Sequence, residues 1–385
     1  MRSYAEIDLN ALENNIREIR RVTNPDSKIM AVIKADAYGH GFLETAKVLT
    51  QNGADCFGVA TIEEALQIRC AGFKQDILIL GGVDVSEIEK AVNNCITLSV
   101  YTRNFAKAVS DVAVRLNKTA KIHIKLDTGM SRIGFLTGST FDDKAVDEII
   151  EIAKFKNVYA EGIFSHFSTS DEADTAYTEL QFERFTKMCK LIEEKGYSFK
   201  IKHIANSAAI MQYPEMHLDM VRPGIILYGL YPSDEVDKER IKLKQVMTLK
   251  SKITHVKELP PDRGISYGKE YITDEVKKVA TVPIGYADGY LRIFAKEGYM
   301  LVKNQKVKIL GRICMDQCMI DVTNVNNINT GDEVTIFTHE EITADTLAGW
   351  AGTINYEIVC MISKRIPRIY QKDGRTVNVV NYLDC

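Results

Sequence analysis

Between about residue 10 and residue 235 the chain repeats one pattern eight times: a short β-branched run, then a longer stretch with helical periodicity. Ile29–Val32, Cys56–Val59, Ile77–Leu80, Ile96–Val100, Ile122–Leu126, Val158–Phe164, Ile201–Ile204 and Ile225–Tyr228 read as the strands. Parallel strands need crossovers of about a dozen residues or more, which helices supply, so the alternation predicts an α/β sheet. Eight repeats match a closed (β/α)8 TIM-like barrel. An open doubly wound sheet is the alternative, but no Gly-x-Gly-x-x-Gly follows the first strand. Thr61-x-x-Glu64 and Ser86-x-x-Glu89 read as capping boxes at helix starts.

After about residue 240 the character changes. Strand-like alternation runs from Met247 to Phe337, helical periodicity returns in Ile342–Gly352 and Tyr356–Ser363, and Asp373-Gly374 reads as a hairpin turn. We therefore expect a barrel over 1–238 and a mostly β domain over 239–385, with residues 1–9 as a strand able to pack on the β domain. A chain of 385 residues exceeds what one hydrophobic core usually holds. A formal charge of -3 makes no electrostatic case for nucleic acid or an anionic membrane. The N-terminus lacks the apolar core of a signal peptide, and no apolar run reaches the ~18 residues needed to span a bilayer, so a cytoplasmic place is expected. The eight cysteines, Cys385 among them, are scattered without a Cys-x-x-Cys pair and read as reduced thiols. No His-Glu-x-x-His occurs, and no metal site is expected.

The chemistry-bearing groups fall where predicted strands end. In Ala31-Val-Ile-Lys-Ala-Asp-Ala-Tyr-Gly-His-Gly41 a buried apolar run ends on Lys34. Desolvation lowers a lysine's pKa, which suits an amine that attacks an aldehyde and later acts as a base. A stem lying on the sheet edge with its ammonium in water is the plainer reading. Lys125 and Arg132 follow the fifth strand, His166 the sixth, and His203 with Asn206 and Ser207 the seventh, while Arg222-Pro-Gly224-Ile225 enters the eighth. Reacting groups of barrel enzymes gather at these carboxyl ends. Taken singly, each has a structural reading as well: rim cations at Lys125 and Arg132, a near-core histidine at His166, a helix cap at Asn206-Ser207. Capping and phosphate binding use the same backbone N–H groups.

The Lys34 segment resembles the pyridoxal 5'-phosphate signature of the alanine racemase family. It is joined, in that family's order, by Lys125-Leu-Asp-Thr-Gly-Met-Ser-Arg132-Ile-Gly, His203-Ile-Ala-Asn-Ser-Ala, Arg222-Pro-Gly-Ile-Ile-Leu-Tyr-Gly229, Gly264-Ile-Ser-Tyr-Gly268, Pro283-Ile-Gly-Tyr-Ala-Asp-Gly-Tyr290, Gly311-Arg-Ile-Cys-Met-Asp316 and Thr353-Ile-Asn-Tyr-Glu357. The resemblance implies interconversion of L- and D-alanine, supplying D-alanine for peptidoglycan, by a homodimer whose active sites are shared between subunits. It implies Lys34 as the cofactor-holding lysine and base on one face of Cα, with Tyr267 as base on the other face, from the second subunit. Tyr38, His203, Asn206, Ser207, Gly224, Ile225 and Tyr356 are implied to hold the cofactor, Arg222 to face its ring nitrogen, and His166 to link Arg222 to Tyr267. Arg132 and the Met315 N–H are implied to meet the substrate carboxylate, and Tyr286 with Asp316 to line the access channel. In some family members the lysine matching Lys125 is carbamylated, so a carbamate or a bound anion is expected there. A serine or broad-spectrum racemase is the nearest alternative. A decarboxylase, which typically places an acidic residue at the ring nitrogen, fits Arg222 poorly, and a cofactor carrier resembles only the barrel half.

Overall fold

The computed structural model describes residues 2–138, 140 and 142–384, so Cys385 lies outside the described residues. It divides into two compact units, one of Glu13–Ala37 and Phe42–Leu243, the other of Met1–Leu12, Tyr38–Gly41 and Lys244–Cys385.

Eight parallel strands build the first unit: Lys28–Val32, Cys56–Val59, Asp76–Ile79, Thr97–Val100, Ala120–Asp127, Val158–Phe164, Ile201–His203 and Met220–Val221. The first seven pair in succession, with registers such as Met30↔Cys56 and Leu78↔Thr97, and Met220 pairs back onto Lys28. Between the seventh and eighth strands the contact thins to bonds such as Asp219 N–H to the Lys202 carbonyl at 3.1 Å. The barrel is nearly closed. Strands such as Lys28–Val32 and Cys56–Val59 are apolar without alternation because side chains fill the inside and helices cover the outside, burying both faces. The helix Ile62–Cys70 starts on the Thr61/Glu64 capping box, a device worth ~1 kcal/mol.

Two expectations fail locally. Ile225–Tyr228 is a buried 3-10 turn, and the eighth strand is Met220–Val221 just before it. A short apolar run does not distinguish a strand from a buried helical turn, and Pro223-Gly224 interrupts the strand first. Arg222 therefore follows the eighth strand rather than entering it. The Ser86/Glu89 box is replaced by Asp84, whose carboxylate accepts the Ser86 N–H at 2.8 Å and opens a 3-10 turn at Val85–Glu87.

The second unit is mostly β. Its seven-stranded sheet runs Gln305–Lys308, Tyr299–Val302, Glu333–Phe337, Met247–Lys252, Ser3–Asp8, Arg368–Lys372, Arg375–Val380. Ser3–Asp8 lies at its heart, antiparallel to Met247–Lys252 through Ala5↔Leu249 and parallel to Arg368–Lys372 through Ala5↔Arg368. A three-stranded sheet joins His255–Leu259, Lys277–Val282 and Cys318–Asp321. Asp373 and Gly374, at φ of 51° and 70°, make the hairpin turn between the last two strands. Helices occupy Ala344–Ala351 and Asn355–Cys360. Among the described residues no helix is long and apolar enough to cross a membrane.

Candidate active site

At the end of the first barrel strand the backbone turns left-handed. Ala35, Asp36, Ala37 and Tyr38 have φ of 51°, 54°, 55° and 53°, a run that costs L residues roughly 1–2 kcal/mol each. Two carboxylates brace it. Glu64 accepts the Ala35 N–H at 2.6 Å and the Ala60 N–H at 2.7 Å, and Asp36 accepts the Phe42 N–H at 2.9 Å. Half-buried Lys34 opens this turn, so its backbone is anchored where the strand ends.

Inside the barrel mouth, polar groups from three strand ends meet. Arg222, only 4 % exposed, donates through Nη2 to the Ser165 and Ile204 carbonyls at 2.8 and 3.0 Å. The same nitrogen lies 3.0 Å from His166 Nδ1, and Nη1 lies 2.9 Å from His203 Nδ1. A guanidinium only donates, so both histidines accept at Nδ1. Burial, reinforced by Arg132, pushes Arg222 down to about 9, which still leaves it a cation at neutral pH. Burial first and Arg222 second push His166 and His203 well below the ordinary imidazole range, and both are neutral.

Lys125 is buried within the fifth strand, which excludes the rim reading. Its Nζ donates to the Leu126 carbonyl at 2.9 Å and sits 5.0 Å from the Phe164 ring centroid. Burial, then Arg222 and Arg132, lower its ammonium to about 7. Arg132 itself is exposed, on a loop tied down by the Asp127 carboxylate, which accepts the Gly129 and Ser131 N–H groups at 3.0 and 2.9 Å.

After the seventh and eighth strands, Asn206 caps the helix Ser207–Gln212 by accepting the Ala209 N–H at 3.1 Å and also accepts the Ser170 hydroxyl at 2.9 Å. Ser207 Oγ accepts the Gly224 N–H at 2.9 Å, which seats Gly224 and Ile225 beside it. Loops after strands seven and eight are a recurrent phosphate site of such barrels. Hydroxyl and backbone donors there, a donor-only cation at Arg222 and a lysine at the first strand end form a donor set that fits pyridoxal phosphate.

The β unit gathers its own group. Tyr38 is buried with its ring centroid 6.2 Å from that of Tyr356, and burial, then Tyr356, raise its hydroxyl so that it stays a donor. Tyr267 is 69 % exposed on a turn where Ser266, Gly268 and Lys269 have φ of 65°, 75° and 50°. The Ser266 hydroxyl anchors that turn on the Arg312 carbonyl at 2.6 Å. Ser266, Tyr267, Met315 and Asp316 line a cleft of about 390 Å³ with Cys314 and Gln317. Tyr286 is brought to the same segment by its N–H bond to the Cys314 carbonyl at 3.2 Å, and Ala287 bonds the Met315 carbonyl at 3.0 Å. Gly285 makes that approach possible, since a Cβ there would lie 2.2 Å from the Cys314 oxygen. Arg365 holds Asp316 at 2.8 Å.

Two barrel residues escaped the sequence reading. His123 Nδ1 lies 2.9 Å from His203 Nε2, and Phe164 stacks on His203 at 4.9 Å with rings 6° apart. The available signal was spacing: His123 and Lys125 are two apart on one strand and share a face. No cluster able to hold a metal ion occurs among the described residues.

A nearly closed parallel barrel with buried arginine and histidines at its carboxyl mouth, followed by a mostly β unit carrying an exposed tyrosine, defines an enzyme of the barrel-plus-β-domain class. Residues 7–232 match the alanine racemase N-terminal domain and residues 246–370 the alanine racemase C-terminal domain. The chain belongs to the alanine racemase family, and it is an isomerase. The alanine racemase of Methanococcus maripaludis is 51 % identical over 370 residues, spanning 95 % of this chain and 98 % of the relative. That of Clostridium tetani is 47 % identical over 384 residues, spanning 99 % and 98 %. Among solved structures, alanine racemase of Clostridium difficile 630 superposes with a TM-score of 0.96 at 43 % identity, covering 100 % of this chain and 99 % of that one. The Bacillus anthracis enzyme with bound L-Ala-P gives 0.93 at 36 % identity, covering 99 % and 98 %.

Proposed function

We propose that the chain interconverts L- and D-alanine by a two-base mechanism, with pyridoxal phosphate held at Lys34 and active sites shared in a homodimer. The observation that carries this reading is Arg222, a buried cation bonded to both His166 and His203. When bound, the cofactor supplies the electron sink that weakens the Cα–H bond of the amino acid. Opposite a ring nitrogen, a guanidinium donates a hydrogen bond but scarcely yields a proton, which keeps that sink weak. With that donor in place, Lys34 and Tyr267 would return the proton to Cα rather than lose it elsewhere. Carboxylate partners would do the reverse.

Lys34 removes or returns the proton on one face, and Tyr267, from a second copy of the chain, serves the other. An unperturbed tyrosine titrates near ~10 and is a poor base at neutral pH, so Tyr267 needs a hydrogen-bonding partner. His166 fits that part, because accepting from Arg222 at Nδ1 leaves its Nε2 to carry a hydrogen. Ser207, Gly224 and Ile225 hold the phosphate, Arg132 and the Met315 N–H the substrate carboxylate, and Tyr286 with Asp316 line the approach. Circular dichroism of protein incubated with added pyridoxal phosphate and either alanine enantiomer tests the reading. Both solutions should lose their ellipticity, faster than with serine. Cofactor-loaded protein that leaves both unchanged, and exchanges no Cα hydrogen with deuterated solvent, would overturn it.

A further inference from the structure

Arg222 sets a direction for hydrogen bonds that runs beyond the two histidines it touches. Its Nη1–H donates to His203 Nδ1, so neutral His203 carries its hydrogen on Nε2, which then donates to His123 Nδ1 at 2.9 Å. His123 must in turn carry its hydrogen on Nε2. It lines a small cavity of about 40 Å³ that also touches Lys28, Cys56, Asp76, Ile201 and Met220, each the first residue of its barrel strand. The chain of bonds thus runs through the barrel interior, from the carboxyl mouth to the amino end.

Three further features place His123 where it is. The fifth and sixth strands change register at this point, Ile122 pairing with Ala160 but His123 with Gly162, so Glu161 is a bulge residue that re-aims its neighbours. Gly162 leaves room for the ring: a Cβ there would come within 2.6 Å of the imidazole. His123 is 3 % exposed, and the Phe164 ring, stacked on His203, packs edge-on to it at 6.4 Å. Burial holds it neutral, down to about 3, so it accepts at Nδ1 throughout the neutral range.

We propose that His123 is a positioning residue for racemisation: by accepting the Nε2–H that Arg222 imposes on His203 it holds the His203 ring in place, and through it the direction in which Arg222 points. This rests on the racemase reading, in which Arg222 faces the cofactor ring. In His123→Phe the acceptor is lost and a somewhat larger apolar ring takes its place. The His203 Nε2–H is then a buried donor without its acceptor, so the ring turns away from Arg222 part of the time and Arg222 loses a fixed acceptor.

Side-chain nitrogen NMR of the 15N-histidine-labelled, cofactor-loaded full chain tests the first link. His123 and His203 should both be neutral Nε2–H tautomers, and an Nδ1–H or cationic form of either in the wild type overturns the proposal, whatever the enzyme does with alanine. The second link is kinetic. His123→Phe should show His203 in mixed tautomers and a kcat lower by roughly 10- to 100-fold, the scale of a small misplacement, with KM changed less than about twofold. His123→Gln, whose side-chain oxygen accepts from His203, should restore both the single tautomer and most of kcat. Wild-type kcat in His123→Phe, or equal losses in the Phe and Gln variants, would refute it. If His123→Phe does not fold, the wild-type tautomers and the His123→Gln kinetics decide. A wild type with the expected tautomers but no turnover of alanine would instead sink the racemase reading.

Discussion

Glu64 Oε1 accepts the Ala35 N–H at 2.6 Å, one residue past Lys34, the lysine proposed to hold the cofactor. The same carboxylate closes the capping box of Ile62–Cys70 through its other oxygen, which accepts the Thr61 N–H at 3.4 Å. One side chain thus ties a helix start to a left-handed turn that its own residues disfavour. Glutamine can offer only one acceptor oxygen to these two donors. Glu64→Gln should therefore cost about 1–3 kcal/mol in urea unfolding and speed cofactor loss during dialysis. Thr61→Ala, which removes only the cap, should cost ~1 kcal/mol and leave cofactor retention unchanged. Equal retention in all three proteins would show that the turn needs no brace.

Lys125 has a different fate in view. Its ammonium, lowered to about 7 by burial and by Arg222 and Arg132, is substantially neutral at physiological pH, and the neutral amine is the form that adds to CO2. A carbamate would also replace a cation beside two arginines with an anion. We expect a carbamate resonance in 13CO2-equilibrated wild type that strengthens as pH rises through about 7 and is absent from Lys125→Ala. If an anion occupies the place instead, activity should rise with added chloride. Neither signal would refute both forms of the expectation.

Acid should unfold this protein partly through its barrel histidines. His123 has a native pKa near 3, lowered by burial, against 6.5 as the ordinary value. Below about 6.5 the unfolded chain binds a proton that the native chain refuses, so the contribution is intact above that pH and is lost as pH falls toward 3. The slope is ~1.4 kcal/mol per pH unit for one such group. Urea unfolding of His123→Phe between pH 6 and 4 should show a pH slope shallower by about that amount. An unchanged slope would mean that His123 is charged in the native barrel.

Mixing two inactive variants tests the shared site. Lys34→Ala should lose the visible absorbance of covalently held cofactor and nearly all activity. Tyr267→Phe should keep the absorbance and lose activity unequally in the two directions. After subunit exchange the mixture should regain part of the wild-type rate, because one site then combines an intact Lys34 with an intact Tyr267. No recovery after verified exchange would confine each site to one chain.

The sequence by itself determined the elements made by local pattern and the motifs that carry the family. Apolar runs bounded by helix starts specify seven of the eight barrel strands, Thr61 with Glu64 names its own helix, and Asp373-Gly374 takes its turn because glycine adopts positive φ cheaply. Lys34 and Arg222 were legible because their neighbours along the chain are distinctive. Tertiary structure decided what depends on distant partners. Ile225–Tyr228 has a strand's composition but coils after Gly224, and Lys125 is buried because the fifth strand turns that face inward. His123 matters only through His203, 80 residues away, and Arg222. Propensity acts over a few residues, whereas the direction of a hydrogen bond in a barrel is settled by whichever donor the fold places opposite.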